Sequence, residues 1–265
     1  MQKKNKKKIQ PIKKPTLKGR PRDPATLKRA VNVLGLMLIS MFIFLVAGSV
    51  LVVGSLLLRA VLSMIFIAMF VSLAYSNGMN AGFQDVAFAE IAYVRKESGK
   101  SFTAVEEAKC YHPAKGFISA GIGILPLFLI SLVLAVTTQP QLYTRSALPG
   151  WVSAFERRTE IGNALQFYQQ GTVWGVTDIV RIITRLAIMP FFTLAGSDDV
   201  YLAAVIERVS PLLMLFIPAG YALGYLNGPN MRAKMHAGIA ANEKKKRKRD
   251  KKRIDQKRRE PKQLI

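Results

Sequence analysis

From Val31 to Tyr75 the chain is apolar almost without a break, with Arg59 the single charge in 45 residues. A helix crosses a bilayer in about 20 residues. The stretch therefore predicts two spans, near Val33–Val53 and Leu56–Tyr75, that turn around Gly54-Ser55 with Arg59 snorkelling outward. Two further runs, Phe117–Val136 and Val200–Leu226, have the length and composition of spans. The expectation is an all-α integral membrane bundle of about four transmembrane helices with disordered basic tails.

The polar stretches between these runs have patterns of their own. Asn77-Gly78 is expected to end the second span. Residues 77–116 then hold five basic and five acidic residues. Phe83, Ala87, Ile91 and Val94 recur there at close to helical spacing, with Asp85 on another face. Gly99 is the expected stop of that helix. Thr103-Ala-Val-Glu106 reads as a capping box, in which each side chain bonds the other residue's backbone N–H, and opens a short helix ending near His112-Pro113. At the start of the chain, Asp23 has the side chain of an N-cap and Pro24 suits the first helical position.

Thr172–Gly196 is apolar enough to span, yet Asp178, Arg181 and Arg185 form one stripe of a helix within it. Counted as a crossing, it would make five spans and put the two ends of the chain on opposite sides. Counted as an amphipathic or re-entrant helix, it leaves four. Four is the expected number, because of the charge. Residues 1–30 and 243–265 together carry 25 of the 39 Lys/Arg and 5 of the 16 Asp/Glu, hence 20 of the 23 net positive charges. Lys/Arg beside a span hold that end on the cytoplasmic side. Both termini are then expected in the cytoplasm, in a bacterial cytoplasmic membrane. No Lys occurs between Lys115 and Lys234, in keeping with an external or intramembrane setting for that part.

The expected organisation follows. Residues 1–22 are a disordered basic tail, 23–76 the hairpin of spans one and two, and 77–116 a cytoplasmic helical loop. Residues 117–136 are span three, and 137–199 an outer-face segment containing the amphipathic or re-entrant helix 172–196. Residues 200–228 are span four and 229–265 a polybasic cytoplasmic tail.

Candidate chemistry is sparse. The chain has one cysteine and two histidines, too few for an internal disulfide or a Cys-based zinc cage. Cys110 and His112 lie in one neighbourhood but point apart on a helix, so no catalytic residue, cofactor or metal site is expected. Gly121-x-Gly123 lies inside a span and is read as a packing position. Gly220 and Gly224, four apart in the last span, are candidate helix-packing positions. Asp178, Arg181, Arg185, Glu207 and Arg208 form the candidate polar cluster, since ionisable groups at membrane depth pair or line water. It is read as an interfacial helix with its polar stripe toward headgroups plus one structural ion pair. The alternative is a substrate-facing groove in which Glu207 meets Arg181 or Arg185.

The basic run Lys244, Lys245, Lys246, Arg247, Lys248, Arg249, Lys251, Lys252 and Arg253 is the candidate contact for lipid or another polyanion. It contains no aromatics to stack on bases, so RNA or ribosome contact through it would be blind to sequence. The expected partners are the anionic leaflet and this type of polyanion, with another membrane protein a further candidate. No specific nucleic-acid recognition is expected. The functional expectation is a non-enzymatic scaffold or accessory subunit. The alternative is a transporter component or insertase-like protein using the groove around Arg181, Arg185 and Glu207.

Overall fold

The structure, a computed structural model, describes residues 12–51, 55–101, 103–138, 175–193 and 200–259. Among these, all regular structure is helical: α1 (Ala25–Leu51), α2 (Leu56–Glu97), α3 (Ala104–Lys109), α4 (Ala114–Thr137), α5 (Val176–Ala187), α6 (Met189–Phe192), α7 (Val200–Met214) and α8 (Phe216–Arg259). Four stretches are long and apolar enough to cross a membrane: α1, α2, α4, and α7 continued by α8. The chain is an all-α membrane bundle. Residues 139–174 of the expected outer-face segment lie outside the described residues.

The helix of the second span does not end at Asn77-Gly78. α2 runs unbroken for 42 residues, to Glu97. Gly78 is a packing position: a Cβ there would overlap the Tyr221 carbonyl of α8. The helix stops at Gly99, whose φ of 73° suits a residue without a side chain. α8 lies parallel to α2. Val71 stands opposite Gly220, and further along both helices Glu90 stands opposite His236. Gly220, Gly224 and Gly228 bring the two backbones into contact.

The last span is likewise not one helix. It breaks at Leu215, between α7 and α8. Pro218 has no N–H to give the Met214 carbonyl, so the regular ladder fails there.

α4 packs against α1, α5, α7 and α8. Its inward positions recur near every fourth residue: Lys115, Ser119, Gly123, Leu127, Ser131 and Leu134 are all buried. At the end of the bundle away from the chain termini, α5 and α6 form a wedge against α1, α4 and α7. The helix breaks at Ile188, which is fully buried in a cluster with Met37, Phe44, Met214 and Ile217. The chain continues to Thr193, whose carbonyl accepts from Arg59 at 3.3 Å and whose hydroxyl meets Ser63 at 3.0 Å. Arg59 thus reaches the wedge.

α5 has 12 residues, about 18 Å at the helical rise, too short to cross. Beside the wedge, Phe44, Ile67, Pro190, Phe191 and Phe216 line a narrow apolar cleft of about 10 Å³, room for one water-sized sphere and not for an acyl chain.

Candidate functional sites: two buried charge networks and a basic arm

The first network lies where the wedge meets α7. α5 starts at Gly175, whose N–H donates to Asp178 Oδ2 at 3.0 Å. Three and seven residues further on, Arg181 and Arg185 come off the same face. Within this stripe Arg181 is only 8% exposed and faces into the bundle, whereas Asp178 and Arg185 stay partly exposed. The reason is Glu207 on α7, itself 2% exposed. Its Oε1 lies 3.3 Å from Arg181 Nε and accepts from Arg185 Nε at 2.7 Å. Its Oε2 accepts from the Thr138 hydroxyl at 3.1 Å. One carboxylate thereby joins α4, α5 and α7.

Arg181 also lies 3.9 Å from the half-exposed Asp178, so two guanidinium groups face two carboxylates. The Arg185 guanidinium lies 4.6 Å from the centre of the Phe192 ring. One turn deeper, the Thr184 and Ser210 hydroxyls are fully buried with no hydrogen-bond partner. Arg208 is exposed and lies outside the network.

Sequence reasoning missed the second network, at the end of the bundle where α1 and α4 begin. Asp23 caps α1, its Oδ1 accepting from the Ala25 N–H at 3.1 Å. One turn along α1, Arg29 makes a two-pronged pair with Asp85 of α2, at 2.8 and 2.5 Å. The Tyr225 hydroxyl of α8 donates to the same carboxylate at 2.5 Å. Lys115, at the start of α4, is 0% exposed. Its ammonium donates to the carbonyls of Ala108 and Cys110 at 2.5 and 2.7 Å and lies 3.5 Å from Asp23 and 3.8 Å from Asp85. A buried ammonium has three protons to place. Here the carbonyls at the end of α3 and the Asp23 carboxylate take them.

Further out, Glu90 accepts from Arg232 at 2.9 and 3.0 Å and meets His236 at 2.8 Å. The face of α2 that packs inward is therefore Gly82, Asp85, Ala89, Glu90 and Ala92, while Ile91 and Val94 are exposed. α1, α4 and α8 bring the counter-ions to that side.

Residues 12–22, part of the expected disordered tail, have no regular structure but run across this network. Leu17 N–H reaches the Ala89 carbonyl at 3.4 Å, and Gly19 N–H reaches that of Tyr111 at 3.0 Å. Leu17 packs with Ala89, Ala92 and Cys110. Cys110 is fully buried, and burial pushes its thiol above the usual range, so it is a poor nucleophile. The Thr103–Glu106 capping box is formed. Hydrogen bonds from the Thr103 N–H and hydroxyl hold the Glu106 carboxyl below its ordinary range.

The arm is the remainder of α8. Ala233 and Ala237 are still buried against the bundle, whereas every residue from Asn242 to Arg253 is exposed, the basic run included. No protein-family model matches the chain, and no curated protein or solved structure matches it.

Proposed function

We propose that the protein is a non-enzymatic membrane scaffold or accessory subunit. Its bundle would carry a basic helical arm for an anionic lipid surface or another polyanion. The start of α1 and the far end of α8 share one end of the bundle, and the Lys/Arg content of the tails supports a cytoplasmic position for that end in a bacterial cytoplasmic membrane. The observation that carries the reading is the continuity of α8. One helix leads from the glycine contacts inside the bundle through the Glu90–Arg232–His236 pair into the basic run. The arm is thereby fixed to the bundle and not tethered by a loop.

The test compares the full chain with a variant lacking residues 243–265, both in detergent. Equal folded yield and equal thermal stability are expected, with the full chain eluting from immobilised heparin at clearly higher salt than the truncated one. A truncated protein that is retained equally, or that no longer inserts, overturns the reading.

A second reading, a transporter component or insertase-like protein built around Arg181, Arg185 and Glu207, is favoured by the two partnerless hydroxyls of Thr184 and Ser210. In a membrane interior such groups seek water or a polar ligand. Because Cys110 is buried and its thiol is held protonated, a cysteine at position 184 reports alone. This reading expects Thr184→Cys to react with a membrane-impermeant thiol reagent and Arg181→Ala to retain normal protein levels. An unreactive Thr184→Cys overturns it.

A further inference from the structure

Residues 244–259 hold twelve Lys/Arg against two Asp, a net of ten positive charges. At the helical rise this stretch is about 23 Å long, or one net charge per ~2.3 Å. Double-helical nucleic acid carries one negative charge per about 1.7 Å of axis. The two densities are close.

The alternative occupant, the anionic leaflet, fits less well on two counts. A helix lying in the interface needs an apolar face. Ile254 is the one apolar residue between 243 and 259. The second count is distance. The apolar part of the span ends at Leu226, and α8 passes Pro229 and stays packed as far as Ala237. Lys244 is 18 residues past Leu226, about 27 Å along the helix. Exposed charges are screened over about 8 Å at physiological ionic strength. An arm that continues the packed part of α8 therefore stands beyond the reach of the headgroups.

The arm also opposes its own helix. Lys244–Lys248, Lys245–Arg249 and Arg247–Lys251 are like charges four apart, and such pairs destabilise a helix. The packed part of α8 nucleates the helix, and a dense polyanion would remove the repulsion along the rest.

Resting on the scaffold reading above, we infer that the arm binds the phosphodiester backbone of double-helical nucleic acid. With no aromatic side chain between residues 240 and 259, it has nothing to stack on bases. Contact is then with phosphates, blind to sequence and strongly dependent on salt.

The test uses the full chain in nanodiscs of purely zwitterionic lipid, titrated with an RNA hairpin and with a DNA duplex of equal length. Both are expected to bind within a few-fold of each other, with log Kd rising against log salt at a slope of about 5–7. They are also expected to protect the arm from trypsin. Replacing Lys244, Lys245, Lys246, Arg247, Lys248, Arg249, Lys251, Lys252 and Arg253 by glutamine should weaken binding at least ~100-fold. A large preference for RNA or for DNA overturns the sequence-blind backbone contact.

The same titration in discs containing phosphatidylglycerol separates the two proposals. If trypsin protection there needs no nucleic acid, and neither nucleic acid binds in the zwitterionic discs, the partner is the leaflet. The nucleic-acid inference then falls and the scaffold reading stands. If the arm is cleaved equally under every condition, both fall.

Discussion

Asp85→Ala is expected to destabilise the bundle by about 3–5 kcal/mol, the range for removing one partner of a buried ion pair. Asp85 takes two hydrogen bonds from Arg29 of α1 and one from Tyr225 of α8, and lies 3.8 Å from the Lys115 ammonium of α4. Without it, the nearly buried Arg29 loses both bonds, and the fully buried Lys115 is left with Asp23 at 3.5 Å. Tyr225→Phe removes one hydrogen bond to a charged group and leaves the pair with Arg29, so about 1.5–3 kcal/mol is expected. Thermal unfolding of the detergent-solubilised proteins, followed by helical circular dichroism, orders the two. A second readout is local. Lys115 holds the Cys110 carbonyl, so Cys110 should become reactive to maleimide in Asp85→Ala and stay slow in Tyr225→Phe. If both variants unfold together and Cys110 stays unreactive in each, Asp85 does not hold the end of the bundle.

The spans were legible because bilayer thickness turns an apolar run into a helix count, and that signal is local. Asp23, Gly99 and the Thr103–Glu106 box were legible for the same reason, since a cap is decided by residues within one turn. Asp85 was not. Its partners Arg29 and Tyr225 are 56 and 140 residues away. An acid in a mixed-charge loop reads as solvated unless its face is known to be inward. A signal for that face existed. Gly78, Gly82, Ala89 and Ala92 recur at helical spacing, and Asp85 falls among them. Small residues on one side of a helix in a membrane protein mark the side that meets a neighbour. The large residues Ile91 and Val94 lie on the opposite, exposed side.

The pairing of Glu207 with Arg181 and Arg185 was within reach of sequence reasoning, because three charges in otherwise apolar segments have few places to go. The wedge geometry was not. Nothing local announces that the helix breaks at Ile188 and that Thr193 then meets Arg59 and Ser63. The break at Leu215 is an intermediate case. Pro218 predicts a lost hydrogen bond, but whether a helix bends or stops there depends on what packs beside it, here α6 and its aromatic residues.

The largest effect of adding one methyl group is expected at Gly224. A Cβ there would overlap the Tyr75 carbonyl of α2. The obstacle is backbone, which has no rotamer to change, so α2 and α8 must separate along their whole contact. Overpacking of this type costs about 1–3 kcal/mol and occasionally more, and Gly224→Ala belongs at the top of that range. Gly220→Ala is expected to cost less, because its Cβ would meet the Val71 carbonyl at 2.9 Å and the Val71 side chain at 3.1 Å. A shift of a few tenths of an ångström relieves both contacts. Gly35 and Gly121 supply the opposite sign. Nothing lies within 4 Å of a Cβ at either position. Alanine there should be neutral or stabilising by up to about 1 kcal/mol, the helical advantage of alanine over glycine. Thermal unfolding of the four variants in one detergent is therefore expected to spread on both sides of the parent, with Gly224→Ala lowest. The arm depends on the same contact, since α8 reaches its basic run only by staying on α2. Gly224→Ala should then expose residues 229–243 to protease, and Gly121→Ala should not. A Gly224→Ala protein as stable and as resistant as Gly121→Ala would show that α8 is not held by its glycines, and the fixed arm would lose its physical basis.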